Sequence, residues 1–182
     1  MKLLHALLFS TALSATSAFG QHTPYAGQPT RDIRALAAEE VTQYRAGAGM
    51  GYARAAELNR HPGPMHALEL AGPLALTPEQ RAATQTLMQT HKAEARAIGD
   101  KLVDAEQALD RLFAQSAASE GALARQVRAM AMLHAEYRLS HLETHRRMRA
   151  LLSDEQVHRY VQLRGYGSSS IGTGTHANPL QH

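Results

Sequence analysis

Leu76-Thr77-Pro78-Glu79-Gln80 decides how this chain folds, because it returns 76 residues later as Leu152-Ser153-Asp154-Glu155-Gln156. Each copy reads as a helix start. Thr77 or Ser153 is the N-cap, and Gln80 or Gln156 stands at N3, where its amide reaches back to the cap's own N–H. Pro78 takes N1, the helical position where a missing N–H costs nothing. Leu152 at N′ and Val157 at N4 are placed for a hydrophobic staple. Outward from these boxes, a long regular pattern runs from Pro78 to about Phe113. Gln115 to Gly121, small and polar, is a turn. A second long helix runs from about Ala122 to Leu152, and the second box restarts a short helix to Arg164.

Each long segment carries one stripe at 100° per residue. The first is Ala83, Leu87, His91, Glu94, Ile98, Leu102, Ala105, Leu109 and Leu112. The second is Leu123, Val127, Met130, His134, Tyr137, His141, His145, Met148 and Leu152. A short turn makes the two helices antiparallel neighbours. At about 1.5 Å per residue each spans roughly 45–55 Å. Folding at residues 118–119 sets Ile98 near Leu139 and Leu102 near Ala135. It also brings His91 and Glu94 level with His141 and His145. The fold class expected is all-α: a long antiparallel hairpin with N-terminal helices and a short C-terminal helix.

The chain divides into four parts. Residues 1–20 read as a signal peptide: Met1-Lys2 is a short positive start, Leu3 to Leu13 an apolar stretch, and Ala18-Phe19-Gly20 a small-residue end that places cleavage before Gln21. The apolar run is too short for a membrane span, which needs about 20 residues. The expected location is the periplasm. Residues 21–60 form an N-terminal arm and helix. Thr30 is the candidate cap of a helix reaching about Ala46, which Gly47, Gly49 and Gly51 break; short helical pieces follow at Tyr52–Asn59 and Met65–Ala71. Residues 61–166 form the hairpin domain. Residues 167–182, rich in Gly and Ser, have little to bury and read as a disordered tail.

Composition excludes several classes of function. Without cysteine there is no disulfide framework, thiolate chemistry or thiolate metal ligand. The net charge of +3 comes from basic residues, mostly Arg, interleaved with Asp and Glu rather than clustered, so a nucleic-acid surface is not expected. No nucleophile elbow and no HExxH pattern is present, and no enzyme is expected. Glycines 47–51 lack the Lys-Ser/Thr and the preceding strand of a phosphate loop.

The sharpest chemical signal is histidine. His141 and His145 stand at i, i+4, the spacing at which two imidazoles can share a metal on one helix face. Met148 lies one turn further along. His91 and Glu94 face them from the other helix, and His66, near the His61-Pro62-Gly63-Pro64 break, is a further candidate ligand. Such a set suits Zn, Cu, Ni or Co better than Ca or Mg. Two other readings stand beside it: polar members of a helix seam, and a pH-responsive cluster. No organic cofactor is expected.

The two boxes, the long helix pair and the leader resemble the Spy/CpxP family of envelope-stress proteins with its LTxxQ motif (Leu76, Thr77, Gln80; Leu152, Ser153, Gln156). The second copy departs from the motif by Ser for Thr, which keeps the capping hydroxyl. The resemblance, over His61 to Tyr166, implies a hairpin that dimerises into a curved four-helix cradle. It implies a metal sensor or resistance protein, an inhibitor of stress signalling, or an ATP-independent chaperone for unfolded envelope proteins. The ligands of the metal-linked relatives map loosely onto His141, His145 and Met148 with Glu94 or His66. The expectation is therefore a non-enzymatic homodimer with a metal-linked role. The alternative is a refolding chaperone holding clients on its concave helical face, and a sensory membrane protein is a further possible partner.

Overall fold

The computed structural model describes residues 24–166. The expected leader (1–20) and tail (167–182) lie outside the described residues. After a 3₁₀ turn at Gln28–Thr30, six helices follow among the described residues and no strand: α1 Ala38–Arg45, α2 Arg54–Glu57, α3 Pro64–Glu69, α4 Pro78–Ala114, α5 Glu120–Leu151 and α6 Asp154–Leu163. The fold is all-α, as expected. No helix among the described residues is long and apolar enough to cross a membrane.

Both capping boxes form, and they also join. Gln80 N–H donates to Thr77 Oγ1 and Thr77 N–H to Gln80 Oε1, each at 3.1 Å. Ser153 and Gln156 repeat this at 3.2 and 2.9 Å. Each glutamine's Nε2 then crosses to the other helix start. Gln80 Nε2 donates to Gln156 Oε1 (2.9 Å) and to the Leu151 carbonyl (2.8 Å). Gln156 Nε2 donates to Gln80 Oε1 (2.9 Å) and to the Leu74 carbonyl (3.2 Å). One amide thus caps its own helix with its oxygen and bonds the other with its nitrogen. Glutamine can do both because its amide carries acceptor and donor side by side. The leucines of the motif go inward: Leu76 and Leu152 join Ala67, Ala71, Leu74, Leu87, Met148, Val157 and Tyr160 in one core cluster.

The second core cluster sits at mid-hairpin and draws on the N-terminal segment. Ile33, Leu36 and Tyr44 pack on Ala95, Ile98, Leu102 and Val103 of α4 and on Tyr137 of α5. Gly99, in the middle of α4, makes this possible: a Cβ there would lie 2.0 Å from the Tyr44 carbonyl oxygen. Arg34 seals the edge with an ion pair to Asp110 at 2.8 Å.

Three expectations need correction. The first helix starts at Ala38, not after Thr30. The Glu40 carboxylate takes the Ala37 N–H at 2.8 Å, whereas Thr30 Oγ1 bonds back to the Gly27 carbonyl, so Ile33 and Leu36 occupy a tight turn. The hairpin turn is shorter than expected, because Ser119 caps α5 and the helix takes in Glu120 and Gly121. The register shifts with it. His91 meets Ser140 and His141, and Gln126 Nε2 reaches the Ala105 carbonyl at 2.7 Å. Leu139 therefore points outward, 65% exposed.

Candidate functional site: a histidine and tyrosine cluster beneath the N-terminal segment

Three helices and the glycine joint place the cluster. His91 comes from α4, and His134, Tyr137, Ser140 and His141 from α5 at i, i+3, i+6 and i+7, a single helix face. Tyr44 closes α1, and Tyr52 follows the joint of residues 47–51. His91 Nε2 lies 3.0 Å from His141 Nδ1, and His91 Nδ1 lies 3.1 Å from Ser140 Oγ. The rings meet edge-to-face, centroids 4.5 Å apart. Tyr137 packs edge-on to His141 at 4.7 Å, and its hydroxyl donates to the Ala48 carbonyl at 2.6 Å. Tyr52 bonds His134 Nδ1 at 2.9 Å and the Tyr44 hydroxyl at 3.1 Å.

His141 is only 4% exposed, and among the described residues its Nε2 has no hydrogen-bond partner. That orphan settles the tautomers. A buried N–H without an acceptor is rarer and costlier than a bare acceptor. The consistent assignment is His141 Nδ1–H donating to His91 Nε2, and His91 Nδ1–H to Ser140 Oγ, leaving His141 Nε2 as a bare lone pair. Burial holds His141 down to about 4, helped by the neighbouring charges of His91 and His145. Burial also lowers His91, against an opposing pull from Glu94. Both rings are therefore neutral at pH 7. Tyr137 is pushed up to about 12, mainly by burial.

The remaining expected ligands go elsewhere. His145 Nδ1 faces the His61 carbonyl at 2.8 Å and Glu57 Oε2 at 3.4 Å. Glu57 accepts from the Gly63 N–H at 3.1 Å and from the Tyr160 hydroxyl, with the Arg164 guanidinium 3.8 Å away. Met148 is buried in the core under the glutamine pair. His66 bonds Glu69 at 2.9 Å. Glu94 is exposed and opens onto the outer face. Among the described residues no group of three His, Asp or Glu side chains converges to hold a metal ion. The sequence reading brought His91 and His141 together correctly but missed Glu57, Tyr52, Ser140 and Tyr137's polar role. Tyr44 and Tyr52 flanking the glycine joint were the available signal.

The outer face of the hairpin has a different chemistry. A shallow groove of about 310 Å³ runs between α4 and α5, lined by the apolar Ile98 and Leu139 and by the charged Glu94, Glu136, Glu143 and Arg147. Met132, two turns before Leu139 on the same helix face, is 63% exposed, and Val127 and Phe113 are exposed nearer the tip.

The family model described as LTXXQ motif family protein matches residues 65–164. This chain belongs to the LTXXQ motif family. That is the Spy/CpxP-type domain, and its members are periplasmic. The match takes in α3, both glutamine boxes, the hairpin and α6. Residues 24–64, which supply Tyr44, Tyr52 and Glu57, lie before it. No curated protein and no solved structure matches the chain.

Proposed function

We propose that the protein is a non-enzymatic envelope-stress protein of the Spy/CpxP type that holds unfolded proteins on the outer face of its hairpin. The supporting observation is the apolar stripe of Met132 and Leu139, each more than 60% exposed, set among Glu136, Glu143, Arg146 and Arg147. Exposed apolar side chains that share one helix face with charge around them suit contact with an apolar segment of a partner. The charges keep the chain soluble, and the stripe offers contact to any apolar segment. Association into a homodimer belongs to this reading, since two hairpins would line one cradle. The test is suppression of aggregation of a chemically denatured client by wild type and by Met132→Glu/Leu139→Glu. Protection should fall several-fold in the variant, with helicity unchanged. Undiminished protection would refute the reading.

A second reading, transition-metal binding, rests on the bare lone pair of His141 Nε2 beside a neutral His91. The fit is partial. One imidazole nitrogen, His141 Nε2, is open, because His91 Nε2 accepts from His141 Nδ1–H, whereas a closed tetrahedral site takes four ligands, and His145 Nδ1 is committed to the His61 carbonyl. Calorimetric titration with Zn, Cu, Ni and Co, run beside His141→Ala/His145→Ala, decides it. Stoichiometric binding lost in the variant supports a metal role, and no binding removes it. Client protection should survive this variant if the outer face is the working surface.

A further inference from the structure

The N-terminal segment lies on the side of the hairpin away from the open stripe, and the way it is held carries an inference. The family match starts at residue 65, so this segment lies before the matched domain. The segment nevertheless covers the inner apolar face: Ile33, Leu36 and Tyr44 close over Ala95, Ile98, Leu102, Val103 and Tyr137. The docking is built into α4, because Gly99 leaves room for the Tyr44 carbonyl and a Cβ there would stand 2.0 Å from it.

The same docking carries costs. Met50 (φ 43) and Arg60 (φ 64) are held in the left-handed region, which costs a non-glycine residue roughly 1–2 kcal/mol. Gly47 (φ 64) and Gly51 (φ 78) share that region at the same joint. Tyr52 stacks over His141 at 6.2 Å, in the cover of a ring whose Nε2 has no partner. Lifting the segment would relax both turns and let water reach that nitrogen. α1 itself is only eight residues long, too short to persist as a helix once detached. The strained turns and the unsatisfied group beneath the segment lower the cost of lifting it as a unit.

We propose that residues 31–63 are a built-in occupant of the hairpin's inner face, displaced in exchange for unfolded segments of like chemistry. Such a segment carries aliphatic and aromatic side chains about one helical turn apart, with a basic residue placed to reach Asp110, as Arg34 does. The inner face is then a second, latent client surface, covered until the strap lifts. Its biological meaning rests on the client-holding reading, but its physical test does not.

The first test is native-state hydrogen exchange on the full chain. Amides of α1 and the 47–52 joint should exchange at least about 100-fold faster than those of α4 and α5 around Leu102 and Tyr137, through a partial opening. A single common rate for both sets would overturn the proposal. The second test titrates a labelled peptide of residues 31–52 into the full chain carrying Ile33→Asp/Leu36→Asp, with helicity followed by circular dichroism. Because a covered face lowers apparent affinity by the fraction open, the peptide should bind this variant at least about tenfold more tightly than wild type. Equal binding to both, or none to a folded variant, would overturn the proposal. If the variant loses its helicity, the exchange measurement decides alone. Neither readout involves client aggregation, so failure of the outer-face reading is seen separately, in Met132→Glu/Leu139→Glu.

Discussion

Two glutamines and one histidine carry most of the chemistry at the scale of single residues. Gln80 and Gln156 each cap one helix and bond the other, so either loss leaves a backbone carbonyl and an amide unpaired at the edge of the core. Gln80→Ala or Gln156→Ala should each cost about 1–3 kcal/mol in denaturant unfolding. The double variant should cost less than the sum, since one partner's loss already removes the shared bond. The motif's capping role was legible because an N-cap and its N3 partner are three residues apart. The cross-bond was not, because it joins residues 76 apart through a side-chain nitrogen that capping leaves free. His141 predicts a pH dependence. Its folded value of about 4 lies below the ordinary 6.5, so the unfolded chain binds the extra proton between those values. Stability is then full above pH 6.5 and falls as pH drops toward 4. By pH 5 the loss from this ring is about 2 kcal/mol, to which the lowered His91 adds in the same direction. Thermal melts at pH 7 and pH 5 should show the drop, and His141→Leu should flatten it. An unchanged slope in that variant would place the titration elsewhere.

Among the elements, all six helices were legible, the short ones at Tyr52–Asn59, Met65–Ala71 and after Ser153 included, and what the sequence misplaced was the start of α1. α4 and α5 announce themselves by period, caps and composition over more than thirty residues each. α1 and α2 are short and owe their place to contacts with the hairpin, which no local pattern encodes. Glu57 meets Tyr160 across 103 residues of sequence and His145 across 88, and nothing near Glu57 hints at either. The register error had a local cause: Ser119 caps α5 earlier than the small-polar run suggested. Gly99 sits inside α4, where glycine costs roughly 0.5–1 kcal/mol relative to alanine, yet the close approach of Tyr44 requires it. Gly99→Ala should improve α4's propensity yet push Tyr44 off it, since its Cβ has no room. The expected result is a net loss of stability, together with faster hydrogen exchange in α1 but not around the glutamine pair. A stabilised protein with α1 protection intact would show that α1 docks differently.

The whole molecule is a thin hairpin, pinned at one end by the two glutamines, covered on one face by its N-terminal segment and open on the other. Its size leaves no deep enclosed core, so the apolar side chains divide into two clusters and an uncovered stripe. That stripe was partly hidden in the sequence, because Leu139 was placed near Ile98, and although the two line one groove, Leu139 stands on its open side. The family's metal-linked branch drew attention to histidine, whereas folding puts those histidines under the N-terminal segment and into bonds with Ser140, the His61 carbonyl and each other. The central claim is that unfolded proteins are held on the outer face. Photo-crosslinking of an unfolded client tests it most directly, with the reactive group placed at Leu139 in one protein and at exposed Asp104 of α4 in another. Strong client adducts are expected from position 139 and few from position 104. Equal adducts from both positions, or none from 139, would contradict it.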